Sequence, residues 1–230
     1  MWFKAARPAF AHEARVLDVL RPLAPELLPE VIASTDDGWL LLADAGERAR
    51  EHPIDWRAML ERYAALQRDS AAHVEALLGA GAYDNRPARV VERARALMPD
   101  LPAELAGSLE GRLPYVAEKM TRLAASRLPV TVDHGDLHDG NVFSSDGNVR
   151  IIDWGDSAVA HPFFTLSVAE PQATACTIEA WARHAPRAEL AEEAAIVDEL
   201  RFLLRALNME HVAALGDSEH LVELVRLFLD

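Results

Sequence analysis

Apolar and polar positions follow two different periods in the first 45 residues. Residues 1–6 are mostly apolar and predict a short strand, which Arg7-Pro8 ends. From Ala9 the apolar positions recur at helical spacing, which predicts a helix. The segments VIAS and WLLLA then flank residues 35–38, and this arrangement predicts a β-hairpin with an Asp-Gly turn. The expected order is therefore strand, helix, strand, strand.

Longer helical patterns begin after Ala45-Gly46. Helical spacing predicts helices over residues 53–78, 88–98, 103–126 and, with breaks at Pro186 and Gly216, from residue 170 to the end. Between them, VTV predicts a strand, and VFSS and VRII on either side of residues 146–148 predict a second hairpin. The fold class predicted is α+β, with a strand-rich part over residues 1–45 and a helix-rich part over residues 46–230.

The composition is typical of a folded globular chain. Half of the 230 residues are hydrophobic and 26% are charged, a balance that disfavours disorder. No apolar run approaches the roughly 20 residues that a membrane-spanning helix needs, so we expect no membrane association. Cys176 is the only cysteine, which excludes an intrachain disulfide and favours a reducing, cytoplasmic setting.

The net charge is strongly negative, at −14. An acidic surface repels phosphate backbones, so nucleic acid is not expected as a partner. The same charge would attract a cationic small molecule, although acidic surfaces also serve solubility alone.

The densest group of chemically active side chains lies in HGDLHDGN, residues 134–141, and IIDWGD, residues 151–156. Asp136 and Asn141 are five residues apart on a loop, and the hairpin predicted between the motifs would return Asp153 to the same volume. Two carboxylates and a carboxamide suit Mg²⁺, a hard cation that takes oxygen ligands and keeps phosphates and water in its shell. A carboxylate left free of the metal can accept a proton from an attacking hydroxyl, as phosphoryl transfer requires.

Together the two motifs resemble those of the aminoglycoside phosphotransferase family, which is related to choline kinases and more distantly to protein kinases. The family pattern is H-G-D-x-x-x-x-N followed by I-D-W/F. The resemblance implies that Asp136 is the catalytic base, that Asn141 and Asp153 bind Mg²⁺, and that His134 braces the loop. It also implies a protein-kinase-like two-lobe fold, with a small, partial β-lobe and a large, mostly helical lobe.

The N-terminal segment carries further residues of this pattern. Lys4 lies in the predicted strand and Glu13 early on the next helix, in the order and spacing of the family's phosphate-binding Lys and its Glu partner. By resemblance, Ala43, Asp44 and Ala45 form the hinge, whose backbone contacts a purine. The cofactors implied are ATP and Mg²⁺. The reaction implied is transfer of the γ-phosphoryl group to a hydroxyl of a small molecule, which is aminoglycoside-like, an amino alcohol or a sugar.

Two features depart from the family pattern. Family members carry two strands and a phosphate-covering loop before the Lys strand, whereas Met1 lies three residues before Lys4. We expect a missing upstream segment; a cut chain and a shortened protein that binds ATP weakly are the alternatives. In addition, the family's P-x-x-D-L is here PFFTL, so Thr165 cannot supply the carboxylate expected to brace the catalytic loop.

Contacts to the acceptor are expected from the helical C-terminal region. The acidic residues there that could hold a cationic acceptor are Glu170, Glu179, Glu192, Glu193, Asp198 and Glu199. A solvated helix face explains these residues equally well. The oligomeric state is left open by the sequence.

Two other functions compete with phosphotransfer. His134, Asp136 and His138 could instead hold the metal of a hydrolase, because imidazole and carboxylate both suit Zn²⁺. The absent phosphate loop also favours a catalytically weakened, kinase-like binding module. The joint presence of Lys4 and Glu13 with the two downstream motifs makes phosphotransfer the leading hypothesis.

Overall fold

Short strands and longer helices alternate along the chain in the computed structural model, which describes residues 1–5, 7–145, 147–169, 173–209 and 218–230. The strands are β1 (Trp2–Ala5), β2 (Val31–Ser34), β3 (Trp39–Leu42), β4 (Glu47–Arg48), β5 (Tyr83–Asn85), β6 (Thr131–Asp133), β7 (Val142–Ser145), β8 (Asn148–Ile151) and β9 (Ala158–Ala160). The helices are α1 (Glu13–Leu20), α2 (Trp56–Ser70), α3 (Val74–Ala80), α4 (Pro87–Ala96), α5 (Ala103–Ala124), α6 (Ala173–Trp181), α7 (Arg187–Leu207) and α8 (Glu219–Leu229). The predicted α+β class is confirmed.

The first sheet carries Lys4 on an edge strand. β1 and β2 both pair antiparallel with the central strand β3, and Lys4 lies opposite Leu40 in the β1–β3 register. The predicted strand and Asp-Gly hairpin are therefore confirmed. All three strands come from residues 1–45; the division of the chain at residue 45 stays a prediction.

Two further three-stranded sheets carry the motif loops. β4, β7 and β8 form one, in the order β4-β7-β8, and the β7–β8 hairpin sets Val142 opposite Ile151. This pairing brings the ends of the two motifs together, as predicted. Asp146, expected in the hairpin turn, and Gly216, expected to break a helix, lie outside the described residues. The other sheet has the order β5-β9-β6. β4, β5 and β9 were not predicted, because two or three residues display no period and these lack the β-branched run that VTV gives to β6.

Two predicted helices differ from those observed. The first begins at Glu13 and not at Ala9, because Pro8 opens a separate 3₁₀ turn at Pro8–Phe10. The helix predicted over residues 53–78 is two helices, α2 and α3, with a 3₁₀ turn between them. α2 starts at Trp56, where Asp55 Oδ1 accepts the Ala58 N–H at 3.1 Å. It ends at Ser70, whose hydroxyl donates to the Gln67 carbonyl oxygen at 2.7 Å, a local bond that competes with helix continuation.

The core consists of two clusters of buried apolar residues. One joins α4, α5, α7 and α8. The other lies under the two motif loops and includes Val132, Leu137, Ile151 and the fully buried Trp154 together with residues of α1, α2 and α3. The motif loops thus rest on packed side chains of three helices. Among the residues that the structure describes, no helix is both long and apolar enough to cross a bilayer.

A polar stripe on α2 supports β6 from below. Tyr63, Gln67 and Ser70 lie on one face of the helix and are fully buried. The Gln67 amide donates to the carbonyl oxygens of Val132, at 3.3 Å, and Pro162, at 2.9 Å. The Ser70 hydroxyl accepts the Val132 N–H at 2.8 Å, and the Tyr63 hydroxyl accepts the His134 N–H at 2.9 Å. These side chains satisfy backbone groups that a neighbouring strand would otherwise pair.

Replacing Gln67 by Met should lower the free energy of unfolding by about 1–3 kcal/mol, because two buried carbonyl oxygens lose their donor while the side-chain volume is kept. Urea titration measures this change. The control is Asp69→Met on the exposed side of the same helix, which should change the stability by less than about 0.5 kcal/mol. Equal effects of the two substitutions would contradict the assigned role of Gln67.

Candidate active site

Lys4 connects three elements that are distant in sequence. Its Nζ donates to Glu13 Oε2 at 2.6 Å and to Asp153 Oδ1 at 2.5 Å. β1, the start of α1 and the loop after β8 therefore converge on one ammonium group. Burial alone would lower the pKa of Lys4, but the carboxylates of Glu13 and Asp153 outweigh it and raise that pKa above its ordinary value. Lys4 is positively charged at neutral pH.

Glu13 lies at the centre of this junction and is 1% exposed. Its Oε2 accepts from Lys4, and its Oε1 accepts the backbone N–H of Trp154 at 3.0 Å. Burial raises the pKa of Glu13, against the opposing effect of the Lys4 charge. The carboxylate thereby joins the N-terminal strand to the loop that carries Asp153.

Asp153 has an unusual backbone conformation, with φ 65° and ψ 60°. It is the one residue other than glycine with positive φ in the described part of the chain. Aspartate tolerates this left-handed region better than most side chains. The next residue, Trp154, is buried and its Nε1 donates to the Ile151 carbonyl oxygen at 2.8 Å, which anchors the loop. The carboxylate of Asp153 remains 46% exposed and faces Lys4.

Asp136 is held by two neighbours in its own loop. Asn141 Nδ2 donates to the Asp136 carbonyl oxygen at 2.9 Å and to Asp136 Oδ2 at 3.1 Å. His138 Nε2 lies 3.3 Å from the same Oδ2. Burial would raise the pKa of Asp136, but His138 and Asn141 outweigh it and lower that pKa below its ordinary value. The hydrogen bond to Asp136 in turn raises the pKa of His138. Asp136 is therefore ionised at neutral pH.

His134 uses both of its ring nitrogens inside the protein. Nε2 lies 2.8 Å from the Ile152 carbonyl oxygen, and Nδ1 accepts the Asp136 N–H at 3.3 Å. Burial lowers the pKa of His134, so the ring is neutral with its proton on Nε2. The ring also packs edge-on against Trp154, with 4.7 Å between centroids. His134 therefore ties the two motif loops together and does not have a nitrogen to offer a metal.

The hydrolase hypothesis loses its main ligand in this arrangement. Within the described residues, the structure contains no group of three or more His, Cys, Asp and Glu side chains arranged to hold a metal ion. The Mg²⁺ site expected at Asn141 and Asp153 would be completed by nucleotide phosphates, and it stays a prediction. The Ile152 N–H donates to the backbone carbonyl oxygen of Asn141 at 2.9 Å, so the residue before Asp153 is joined to the first motif.

Gly135 permits the close approach of the two loops. Its φ is +81°, and a Cβ atom at this position would lie 2.2 Å from the Asp156 carbonyl oxygen. The Gly135 carbonyl oxygen accepts from Asn208 Nδ2, at the end of α7, at 2.8 Å. Asn208 was not predicted from the sequence, because a polar residue at a helix end has many local explanations.

Asp133 is a second residue that the sequence did not identify. It ends β6, directly before the first motif, and is 4% exposed. Burial raises its pKa to about 7, although the N–H groups of Gly135 and His134 and the Tyr63 hydroxyl favour the charged form as hydrogen-bond donors. Asp133 and Tyr63 thus lie directly beneath the loop that presents Asp136.

A cavity of about 150 Å³ opens beside Lys4 on the hinge side. Its lining is mostly apolar and includes Leu42, Ala43, Ala45, Phe143 and Ile152. The Ala43 N–H already donates to the Glu30 carbonyl oxygen at 2.9 Å, so this donor of the expected hinge is used within the protein. Asp44 does not line the cavity; its carboxylate accepts from Gly46 N–H and Trp2 Nε1.

A second cavity, of about 240 Å³, lies next to Asp136 between the motif loops and the C-terminal helices. Its polar lining residues are Asp136, Asp156, Arg205, Asn208 and His220. Negative and positive groups therefore face the same space, which suits a polar small molecule.

The acidic residues predicted to contact the acceptor do not line this cavity. Most of them form ion pairs with neighbouring cations instead: Glu179 with Arg187, Glu192 with Arg122, Asp198 with Arg201 and Glu199 with Lys119. Glu193 lies 3.5 Å from the buried His161. Glu170 lies outside the described residues. For the described members of the set, contact with an acceptor stays a prediction.

Known structures with the same fold include three kinds of small-molecule kinase. The macrolide 2′-phosphotransferase MphH from Brachybacterium faecium is 20% identical, with 97% of this chain and 83% of that chain covered and a TM-score of 0.60. A complex of an aminoglycoside phosphotransferase, APH(2″)-IIIa, with GDP and kanamycin is 17% identical, with 98% and 84% covered and a TM-score of 0.62. A choline/ethanolamine kinase family protein from Mesorhizobium loti is 16% identical, with 100% and 80% covered and a TM-score of 0.61.

These likenesses confirm the predicted kinase-like fold, with small sheets and a large helical part. Comparison with curated protein sequences gives no significant match. The model of the phosphotransferase enzyme family, APH, matches residues 3–207, which include both motifs and Lys4. The chain therefore belongs to the APH phosphotransferase family.

Proposed function

We propose that the protein transfers the γ-phosphoryl group of Mg-ATP to a hydroxyl of a small molecule. The observation that carries this proposal is the junction of Lys4, Glu13 and Asp153, together with the ionised Asp136 in the other motif loop, to which His134 joins it. Phosphoryl transfer needs charge neutralisation and positioning more than covalent chemistry, and this junction supplies both. The family and fold support a small-molecule phosphotransferase.

The nucleotide would occupy the apolar cavity beside the hinge. Leu42, Phe143 and Ile152 would contact the base, and the Lys4 ammonium would face the phosphates. Glu13 keeps that ammonium in place because it is bonded to Lys4 on one side and to Trp154 on the other. The Ala43 to Ala45 backbone would supply the hinge contacts, apart from the Ala43 N–H.

Asn141 and Asp153 fit Mg²⁺ by the chemistry of their donor atoms. The Nδ2 of Asn141 donates to Asp136, which leaves its side-chain Oδ1 as the atom suited to a hard cation. Asp153 adds a half-exposed carboxylate. Mg²⁺ bound there would neutralise negative charge on the nucleotide phosphates. Lys4 adds a second positive charge on the same side.

Asp136 would accept the proton of the acceptor hydroxyl. His138 and Asn141 fix the orientation of its carboxylate and keep it ionised. The acceptor would bind in the cavity beside Asp136, where Arg205 and His220 oppose Asp156. An aminoglycoside-like compound, an amino alcohol or a sugar each offers a hydroxyl and further polar groups for these side chains.

The direct test is a screen of hydroxyl compounds with ATP and with GTP, read as acceptor-dependent release of nucleoside diphosphate. The panel contains kanamycin, a macrolide, choline, ethanolamine and simple sugars. Phosphorylated product from at least one member is expected, and its mass identifies the acceptor. Nucleotide binding without transfer to any member would instead favour the binding-module hypothesis.

Replacing Asp136 by Asn should reduce turnover by about 10²-fold or more, because the proton acceptor is lost, while nucleotide affinity changes by less than about threefold. Steady-state kinetics and nucleotide titration measure the two quantities. The control is Asp139→Asn in the same loop, since the exposed pair of Asp139 with Arg50 contributes little energy. Turnover unchanged in Asp136→Asn would exclude its role as base.

Replacing Asp153 by Asn should remove the Mg²⁺-dependent part of nucleotide binding, because a ligand charge is lost. Asn is preferred to Ala here, since it tolerates φ 65° and keeps the loop conformation. The measurement is the shift in melting temperature on adding ATP, with Mg²⁺ and with EDTA. Wild type should show a larger shift with Mg²⁺, and the variant equal shifts. If the variant gains as much melting-temperature shift from Mg²⁺ as wild type does, the assignment of Asp153 as a Mg²⁺ ligand is contradicted.

A further inference from the structure

A buried carboxylate lies beneath the catalytic loop without an obvious structural benefit. Asp133 is almost inaccessible to solvent, and its Oδ1 has no hydrogen-bond partner among the described residues. Removing an ionisable group from water costs free energy unless its partners compensate fully. A carboxylate with an unsatisfied oxygen therefore points to a role other than stability.

The groups around Asp133 belong to the catalytic loop and its support. The N–H groups of His134 and Gly135 and the Tyr63 hydroxyl of α2 face its carboxylate. Tyr63 also accepts the His134 N–H at 2.9 Å. His134 and Gly135 immediately precede Asp136 in the chain, so they set the direction in which the Asp136 side chain leaves the loop.

Thr165 lies on the other side of the same hydroxyl. It is buried, and its side chain faces Tyr63. Thr165 occupies the position at which the family pattern carries a carboxylate that braces the loop. The chain thus lacks a carboxylate at residue 165 and has one at residue 133, with Tyr63 between the two positions.

We propose that Asp133 is a positioning residue of the catalytic loop. It would brace the loop in place of the carboxylate that the family pattern has at residue 165, where this chain has Thr165. The buried carboxylate of Asp133 faces the N–H groups of His134 and Gly135, and Tyr63 of α2 accepts the His134 N–H beside it. These contacts would fix the backbone before Asp136 and hold its carboxylate toward the acceptor. The proposal rests on the proposed phosphotransfer for its kinetic consequence, but the contacts themselves exist without any substrate.

The first test separates positioning from simple stabilisation. Because the pKa of Asp133 is about 7 in the folded protein and about 4 in an unfolded chain, the folded state binds the extra proton. Stability therefore falls as pH rises between these values. Asp133→Asn removes this effect and should melt at the same or a higher temperature than wild type at pH 8. A purely stabilising carboxylate would give a lower melting temperature.

The second test measures Mg²⁺-dependent ATP hydrolysis, with water as acceptor. Asp133→Asn should lower kcat by about 10-fold or more and change the KM for ATP by less than about threefold. The control, Asp100→Asn, makes the same chemical change on an exposed turn and should match wild type. A kcat within twofold of wild type for a folded Asp133→Asn variant would overturn the proposal.

The third test moves the carboxylate across Tyr63. The double variant Asp133→Asn with Thr165→Asp should recover kcat to within about threefold of wild type. Thr165→Asp alone places two carboxylates around one hydroxyl and should lower kcat, because like charges repel in a buried site. If kcat of the double variant is no higher than kcat of Asp133→Asn, a carboxylate at residue 165 does not replace the one at residue 133, and the proposal is contradicted.

Hydrogen–deuterium exchange tests the contacts without relying on activity. The peptide over residues 134–141 should exchange at least about 10-fold faster in Asp133→Asn than in wild type, while peptides of α5 stay unchanged. If wild type neither hydrolyses ATP nor phosphorylates any compound of the acceptor panel but this difference is present, the proposed function fails and the positioning role stands. Equal exchange in both proteins would refute the positioning role whatever the activity.

Discussion

The buried carboxylate of Glu13 is the interaction on which the rest of the site depends. One oxygen accepts from Lys4 and the other from the Trp154 backbone, so the N-terminal strand and the loop of Asp153 are joined through a single side chain. A carboxylate this deeply buried costs free energy unless both of its oxygens are bonded. The need to satisfy Glu13 therefore fixes where Lys4 and Asp153 lie, and their charges then define where a phosphate and a cation can bind.

The loop of Asp136 is supported in a different way, by polar side chains of helices. α2 presents Tyr63 and Gln67 to β6 and to the residues after it, and Asn208 at the end of α7 holds the Gly135 carbonyl oxygen. Trp154 packs against His134 and so connects this support to the Glu13 junction. Both halves of the site are consequently coupled through buried contacts, which limits the freedom of Asp136 relative to Asp153.

The sequence located the residues that belong to short linear motifs and missed those that act from a distance. Lys4 and Asp153 are 149 positions apart, yet each lies in a recognisable pattern, so their meeting could be predicted. Tyr63 lies on a helix face at the spacing of core residues, which by itself indicates only packing; its hydroxyl contact depends on where β6 passes. Asp133 ends a strand of ordinary composition. Helix ends also escaped prediction, because the Ser70 hydroxyl that ends α2 acts through a local bond that periodicity does not report.

The central claim is that Asn141 and Asp153 share one cation opposite Lys4. Crystals grown with Mn²⁺ and a nonhydrolysable ATP analogue test it directly, because an anomalous difference map locates the metal. A peak is expected about 2 Å from a carboxylate oxygen of Asp153 and from Asn141 Oδ1, with a phosphate oxygen of the nucleotide beside Lys4. A peak bound instead to His134 or His138, or a nucleotide bound with no metal near Asp153, would contradict it.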